Sequence, residues 1–244
     1  MTSGGPDRSP ASRLRTRNPK RGAARRGLRV DSKGLVKGAR YIPSPNCDAR
    51  PAGCPISLLV IHHISLPPGK FGGPGVVDFF TNRLRPAAHP YYATIAGMKV
   101  SAHFLVRRDG ALLQFVPCGG RAWHAGESRW KGRARCNDYS IGIELEGTDE
   151  APFTAAQYRQ LARLTRALQA RYPIRDIAGH SDIAPGRKSD PGPRFDWARY
   201  RALIGKRSGR KSPETDTGLP PIPPAAGTPR RKAASKKPRQ SSHE

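Results

Sequence analysis

Two neighbouring segments constrain the fold more than anything else in these 244 residues. "YSIGIELEG", residues 139–147, alternates cleanly: Ile141, Ile143 and Leu145 face one side, and Gly142, Glu144 and Glu146 face the other. Close behind it, "TAAQYRQLARLTRALQARYP", 154–173, places Tyr158, Leu161, Leu164, Leu168 and Tyr172 at helical spacing. Thr154 and Gln157 form a capping-box pair at its start, and Pro173 stops the pattern. The helix is expected to cover the Ile141–Ile143–Leu145 face. The opposite face then needs its own explanation. Glu144 and Glu146 would be an ordinary solvated edge if that face met water. Gly142 weakens this, because a mid-strand residue without a side chain leaves room for a ligand or another backbone.

The remaining elements are consistent with one sheet. "SLLVIHH", 57–63, reads as a short buried strand ending in polar residues, and adjacent His62 and His63 point to opposite sides of it. "VSAHFLVRRDGALLQFVP", 100–117, reads as two strands joined at Asp109-Gly110. A hairpin among strands with few helices predicts a mixed α/β fold, with a central mixed β-sheet flanked by helices, not a doubly wound parallel one.

Charge divides the chain into three parts. The net +26 is concentrated at the ends: residues 1–37 hold 11 Lys/Arg against 2 acids, and 206–244 hold 10 against 3. Both ends lack apolar periodicity and are expected to be disordered extensions, the second containing a proline-rich linker at 218–229. This leaves 38–205 as the folded domain, long enough for one core. No 18-residue apolar run offers a membrane span. The N-terminus shows no apolar run, so a cytoplasmic location is expected. Cys47, Cys54, Cys118 and Cys136 contain no C-x-x-C spacing and are expected to be free thiols.

"GHSDIAPGRKSDPG", 179–192, places His180, Lys188 and Asp190 in a loop that Pro185 and Pro191 keep from being helix or strand. Folding back would set Asp190 beside His180, with Lys188 two residues before it. Two His and one carboxylate with an open position is a common catalytic zinc arrangement, although H-E-x-x-H is absent. The other reading is a turn-rich loop whose Asp side chains bond their own backbone.

Long stretches make the sequence recognisable: "GARYIPSPN", "LLVIHHISLPPGKFGG", "AHPYYATIAGMKVSAHFLVRRDG", "RAWHAGES", "GRARCNDYSIGIELEGTD" and "GHSDIAPGRKSDPGPRFDW". From about Gly38 to about Leu203 the chain resembles the AmpD family, the cytoplasmic anhydro-N-acetylmuramyl-L-alanine amidases of cell-wall recycling. The resemblance implies a peptidoglycan-recognition-protein-like fold. It implies Zn2+ held by His62, His180 and Asp190, with Glu144 handling the proton of the attacking water and Lys188 stabilising charge on the substrate carbonyl. It further implies an anhydromuropeptide substrate, cut between anhydro-N-acetylmuramic acid and L-alanine.

Substrate contacts are expected from Arg135, whose planar fork suits a stem-peptide carboxylate, and from Trp123 and His124 in "RAWHAG", which offer packing against the sugar or peptide, Trp123 being equally suited to the core. His63 stands where the family usually has asparagine, and Lys99 where it usually has arginine; both positions are expected to meet substrate. The alternative is a non-catalytic module of the same fold that binds peptidoglycan fragments, but such modules lose metal ligands that this sequence keeps. The basic ends suggest weak, non-specific association with nucleic acid at most: they hold almost no aromatics for stacking, and no groove-reading motif is present.

Overall fold

The computed structural model describes Met1 and residues 27–205. Its centre is a six-stranded sheet of β1 (Arg40–Tyr41), β2 (Leu58–Ile64), β3 (Phe104–Val106), β4 (Leu112–Gln114), β5 (Ser140–Glu146) and β6 (Asp176–Gly179). The strand order is β6-β2-β5-β3-β4-β1. Only β3 and β4 run antiparallel, and the other neighbours are parallel, so the sheet is mixed as expected. The β3–β4 turn closes at Gly110, whose φ of 87° suits glycine, with Gly110 N–H donating to the Arg107 carbonyl at 2.8 Å.

Alternation along the strands assigns the two faces. Leu59, Ile61, Phe104, Val106, Ile141, Ile143 and Leu145 pack on α3 (Ala155–Gln169) through Leu161, Leu164 and Leu168. The Thr154–Gln157 capping box is formed in both directions. Helical structure stops at Gln169, short of Pro173, and Tyr172 N–H donates to the Leu168 carbonyl at 2.8 Å to close the end. A final helix, Trp197–Gly205, stacks outside α3 with its buried Tyr200 hydroxyl 2.6 Å from that of Thr165.

The opposite face carries Leu58, Val60 and His62 of β2 and the glycine and glutamates of β5. It is covered by the short helices α1 (Gly75–Phe80) and α2 (Pro90–Thr94), the 120–138 segment and the 180–192 loop. Glu146 is only 2% exposed and is no solvated edge. It accepts from Gly72 N–H at 2.7 Å and Arg108 N–H at 3.2 Å, and its Oε1 lies 3.3 Å from the Arg107 guanidinium.

The folded part begins earlier than charge suggested. Residues 29–37, assigned by composition to the basic extension, form an antiparallel pair, Arg29–Val30 with Val36–Lys37. Val36 is buried and its N–H donates to Gln114 Oε1 at 2.8 Å, while Gln114 Nε2 donates to the Gly34 carbonyl at 2.8 Å. Two-residue strands are too short to show a period, so composition alone hid them. Residues 2–26 and 206–244, the greater part of both expected extensions, lie outside the described residues. All four cysteines are free thiols, as expected. Among the described residues no helix is long and apolar enough to cross a membrane.

Candidate active site

Three adjacent parallel strands place their functional residues in one row. Glu144 of β5 pairs in register with His62 of β2, and Gly179 of β6 pairs with Ile61, so His180 follows beside His62. The sheet itself thus sets His180, His62 and Glu144 side by side near the carboxyl ends of the strands. Asp190 arrives from the loop. Its carbonyl accepts from Ser181 N–H at 2.9 Å, which folds the loop back onto the strand end. Gly179 permits this closure, since a Cβ there would lie 2.7 Å from Pro191 Cδ.

His62 Nδ1, His180 Nδ1 and Asp190 Oδ2 form a triangle with edges of 3.0, 3.0 and 3.1 Å. All three residues are buried. The outer ring nitrogens have partners of their own: His180 Nε2 donates to the Ala125 carbonyl at 3.2 Å, and His62 Nε2 lies 2.9 Å from His124 Nδ1. With the outer nitrogens carrying the protons, both Nδ1 lone pairs and a carboxylate oxygen point at one place. Burial pulls His62 down to about 4, so it stays neutral at physiological pH. Burial works against ionisation of Asp190, yet hydrogen bonding to His180 and His62 holds it well below the usual carboxylate range. A buried carboxylate beside two imidazoles is a donor set for a cation, and one ion with bonds of about 2.0–2.2 Å reaches all three atoms. The group could hold a metal.

Glu144 and this triangle line one cavity of about 600 Å³. It is 8% exposed, and its Oε2 is buried without a hydrogen-bond partner. Burial, followed by the negative charge of Asp190, raises its pKa well above the ordinary value, and Lys188 only partly opposes this. A carboxyl of this kind holds a proton readily and also gives it up. Lys188 is exposed, lines the same cavity, and among the described residues its ammonium makes no hydrogen bond or ion pair.

His62, His180, Asp190, Glu144, Lys188, Trp123 and His63 therefore meet around one cavity. Arg135 and Lys99 do not line it. Arg135 is exposed, with Nε 3.1 Å from Asp138, and Lys99 borders a smaller hollow of about 160 Å³ next door. His63, facing away from His62 on the strand, turns into the cavity wall and bonds Asp149 Oδ1 at 2.9 Å. Asp149 in turn accepts from the Ser189 hydroxyl at 2.7 Å, tying the 147–151 segment to the 179–192 loop.

The sequence pointed to a gap at Gly142 but not to its occupant. A Cβ at Gly142 would overlap the His124 ring, so the space holds an imidazole and not a ligand or backbone. That ring sits beneath His62, and its Nε2 is 3.2 Å from the Ser140 hydroxyl. His124 is thus the outer partner of a metal-ligand candidate. The only signal for it in the sequence was the missing side chain opposite.

A mixed sheet with a buried two-histidine, one-carboxylate cluster at its strand ends that could hold a metal ion, and a glutamate without a hydrogen-bond partner beside it, is the arrangement of a hydrolase. Residues 52–193 match the family model for N-acetylmuramoyl-L-alanine amidase, and the chain belongs to that family. Its relatives include the 1,6-anhydro-N-acetylmuramyl-L-alanine amidase AmpD of Escherichia coli K12, 57% identical over 177 residues, 72% of this chain and 97% of the relative. The AmpD of Haemophilus influenzae is 53% identical over 73% of this chain and 99% of its own length. Among solved structures, a crystal structure of a selenomethionine AmpD derivative superposes with a TM-score of 0.69 at 59% identity, covering 70% of this chain and 97% of that one.

Proposed function

We infer that the chain hydrolyses the amide bond joining anhydro-N-acetylmuramic acid to L-alanine in muropeptides, as an AmpD-type enzyme of cell-wall recycling, and that its metal is zinc. The observation that carries this reading is the convergence of three buried donor atoms facing an unpartnered carboxyl. His62, His180 and Asp190 would hold the ion. Zinc there supplies a Lewis acid and lowers the pKa of water towards about 7.

The chain's own residues do the rest. Glu144 takes a proton from the attacking water and hands it to the departing amide nitrogen, which leaves poorly as an anion. Its raised pKa suits both halves of that transfer. Lys188 meets the negative charge that develops on the carbonyl oxygen; losing such a stabiliser typically costs about 3–4 kcal/mol in the barrier. His124 and the Ala125 carbonyl keep the two imidazoles turned the right way. Trp123 and His63 contact the substrate from the cavity wall. Contacts from Arg135 and Lys99 require the substrate to extend past that wall, and an unchanged KM in Arg135→Ala would remove the first of them.

The four free thiols suit a reducing compartment, and we place the enzyme in the cytoplasm. We assign the catalytic domain to residues 27–205. The test is direct. A defined anhydromuropeptide is incubated with the protein, with and without a chelator, and the products are weighed by mass spectrometry. Release of anhydro-N-acetylmuramic acid and free peptide, lost with chelator and restored by zinc, is expected. Binding without cleavage would overturn the reading in favour of a recognition module.

A further inference from the structure

Arg187 lies next to Lys188 but outside the main cavity, and nothing in the mechanism above uses it. Its Nη2 donates to the Ala125 carbonyl at 2.8 Å and also to the Glu127 carbonyl. The Ala125 carbonyl is the same acceptor that receives His180 Nε2–H at 3.2 Å. Gly126, between the two carbonyls, takes φ of 57°, and the turn it makes brings both oxygens to one guanidinium. On the loop side, Arg187 N–H and Lys188 N–H both donate to the Ala184 carbonyl, at 3.2 and 3.1 Å. The guanidinium therefore ties the loop that carries Lys188 and Asp190 to the segment that orients His180.

We propose that Arg187 is a positioning residue for the active site. Through the shared Ala125 carbonyl it fixes the ring of His180, and by anchoring the loop it sets Lys188 over the cavity. The guanidinium reaches both carbonyls through one amino group, Nη2, whose two N–H bonds are held in the fixed plane of the guanidinium, whereas an ammonium sits on a freely rotating stem. The neighbouring residue is anchored as well, since Ser189 is bound by Asp149, so Lys188 projects from between two fixed points. The proposal rests on the reading of His180 as a metal ligand.

The test is chelator competition for zinc on the full chain, for the parent, Arg187→Ala and Arg187→Lys, with kcat, KM and the melting temperature of the zinc-saturated proteins measured alongside. Partners of this kind typically affect metal affinity or activity by about 10–100-fold. Arg187→Ala is expected to bind zinc at least tenfold more weakly and to lose kcat with little change in KM. Its zinc-saturated melting temperature should stay near that of the parent. Arg187→Lys, keeping the charge but not the fixed plane of the guanidinium, should fall between the two. A parent that binds zinc beside an Arg187→Ala protein with unaltered zinc affinity and kcat overturns this role alone. Equal losses in both variants together with a melting temperature several degrees lower would mean a merely structural strut, and would overturn it too. A parent that binds no zinc overturns the metal reading and this inference together.

Discussion

Glu144 is the residue at which function and stability conflict. Its buried carboxyl has a raised pKa, so between the unfolded value of about 4.3 and the folded one the native state binds more protons than the unfolded chain. Stability must then fall as pH rises through that window, and the full penalty is present above it. Glu144→Gln keeps the shape and removes the charge. In the metal-free protein it should raise the melting temperature at neutral pH by about 2–4 °C for each kcal/mol relieved, and the gain should vanish near pH 4. The same variant should bind zinc yet lose about 10²–10⁴-fold in kcat. Asp190→Ala should behave oppositely, losing zinc itself, with an activity loss beyond the roughly 10–100-fold typical of outer partners; atomic absorption separates the two. Gly142→Ala tests the layer below. Its methyl must displace the His124 ring, so it should cost about 1–3 kcal/mol of stability and weaken zinc binding, both measurable on one preparation.

The elements that a short window of sequence can describe were readable in advance. Helix α3 was legible because its capping box and apolar stripe are local, and Thr154→Ala should cost about 1 kcal/mol, seen as a melting temperature lower by about 2–4 °C with kcat intact. The β3–β4 turn was legible for the same reason, since Asp-Gly at its tip needs nothing distant to form. What stayed hidden depends on partners far along the chain. Gly142 showed that a space existed but could not name His124 as its filler, because the two meet only when the sheet is covered. His63 was expected to meet substrate, although strand alternation turns it away from His62. It still reaches the cavity wall because β2 ends there and Asp149, from 86 residues away, holds it. Glu146 looked like a surface carboxylate until Arg107 and two backbone amides closed around it. The ligand triad itself came from family resemblance. Spacing alone left the 179–192 loop open between a metal loop and a cluster of self-bonded turns.

At the scale of the whole molecule, a cation bound at this cluster would act as a cross-link. It would join β2 to the end of β6 and the returning loop, 118 and 128 residues further along the chain. A bound ion at a thousand times its dissociation constant adds about 4.1 kcal/mol to stability. Chelation should therefore lower the melting temperature by about 2–4 °C per kcal/mol lost, and zinc should reverse it; calorimetry shows whether the shift scales with zinc concentration. The hairpin at 29–37 bears on how the enzyme can be shortened. Starting at residue 27 keeps this hairpin, whereas cutting at 38 strips the cover from Gln114 and leaves its amide, the Cys118 N–H and part of the apolar layer facing water. A preparation started at the boundary that charge suggests would be prone to aggregate, and one begun a dozen residues earlier would stay monodisperse in light scattering.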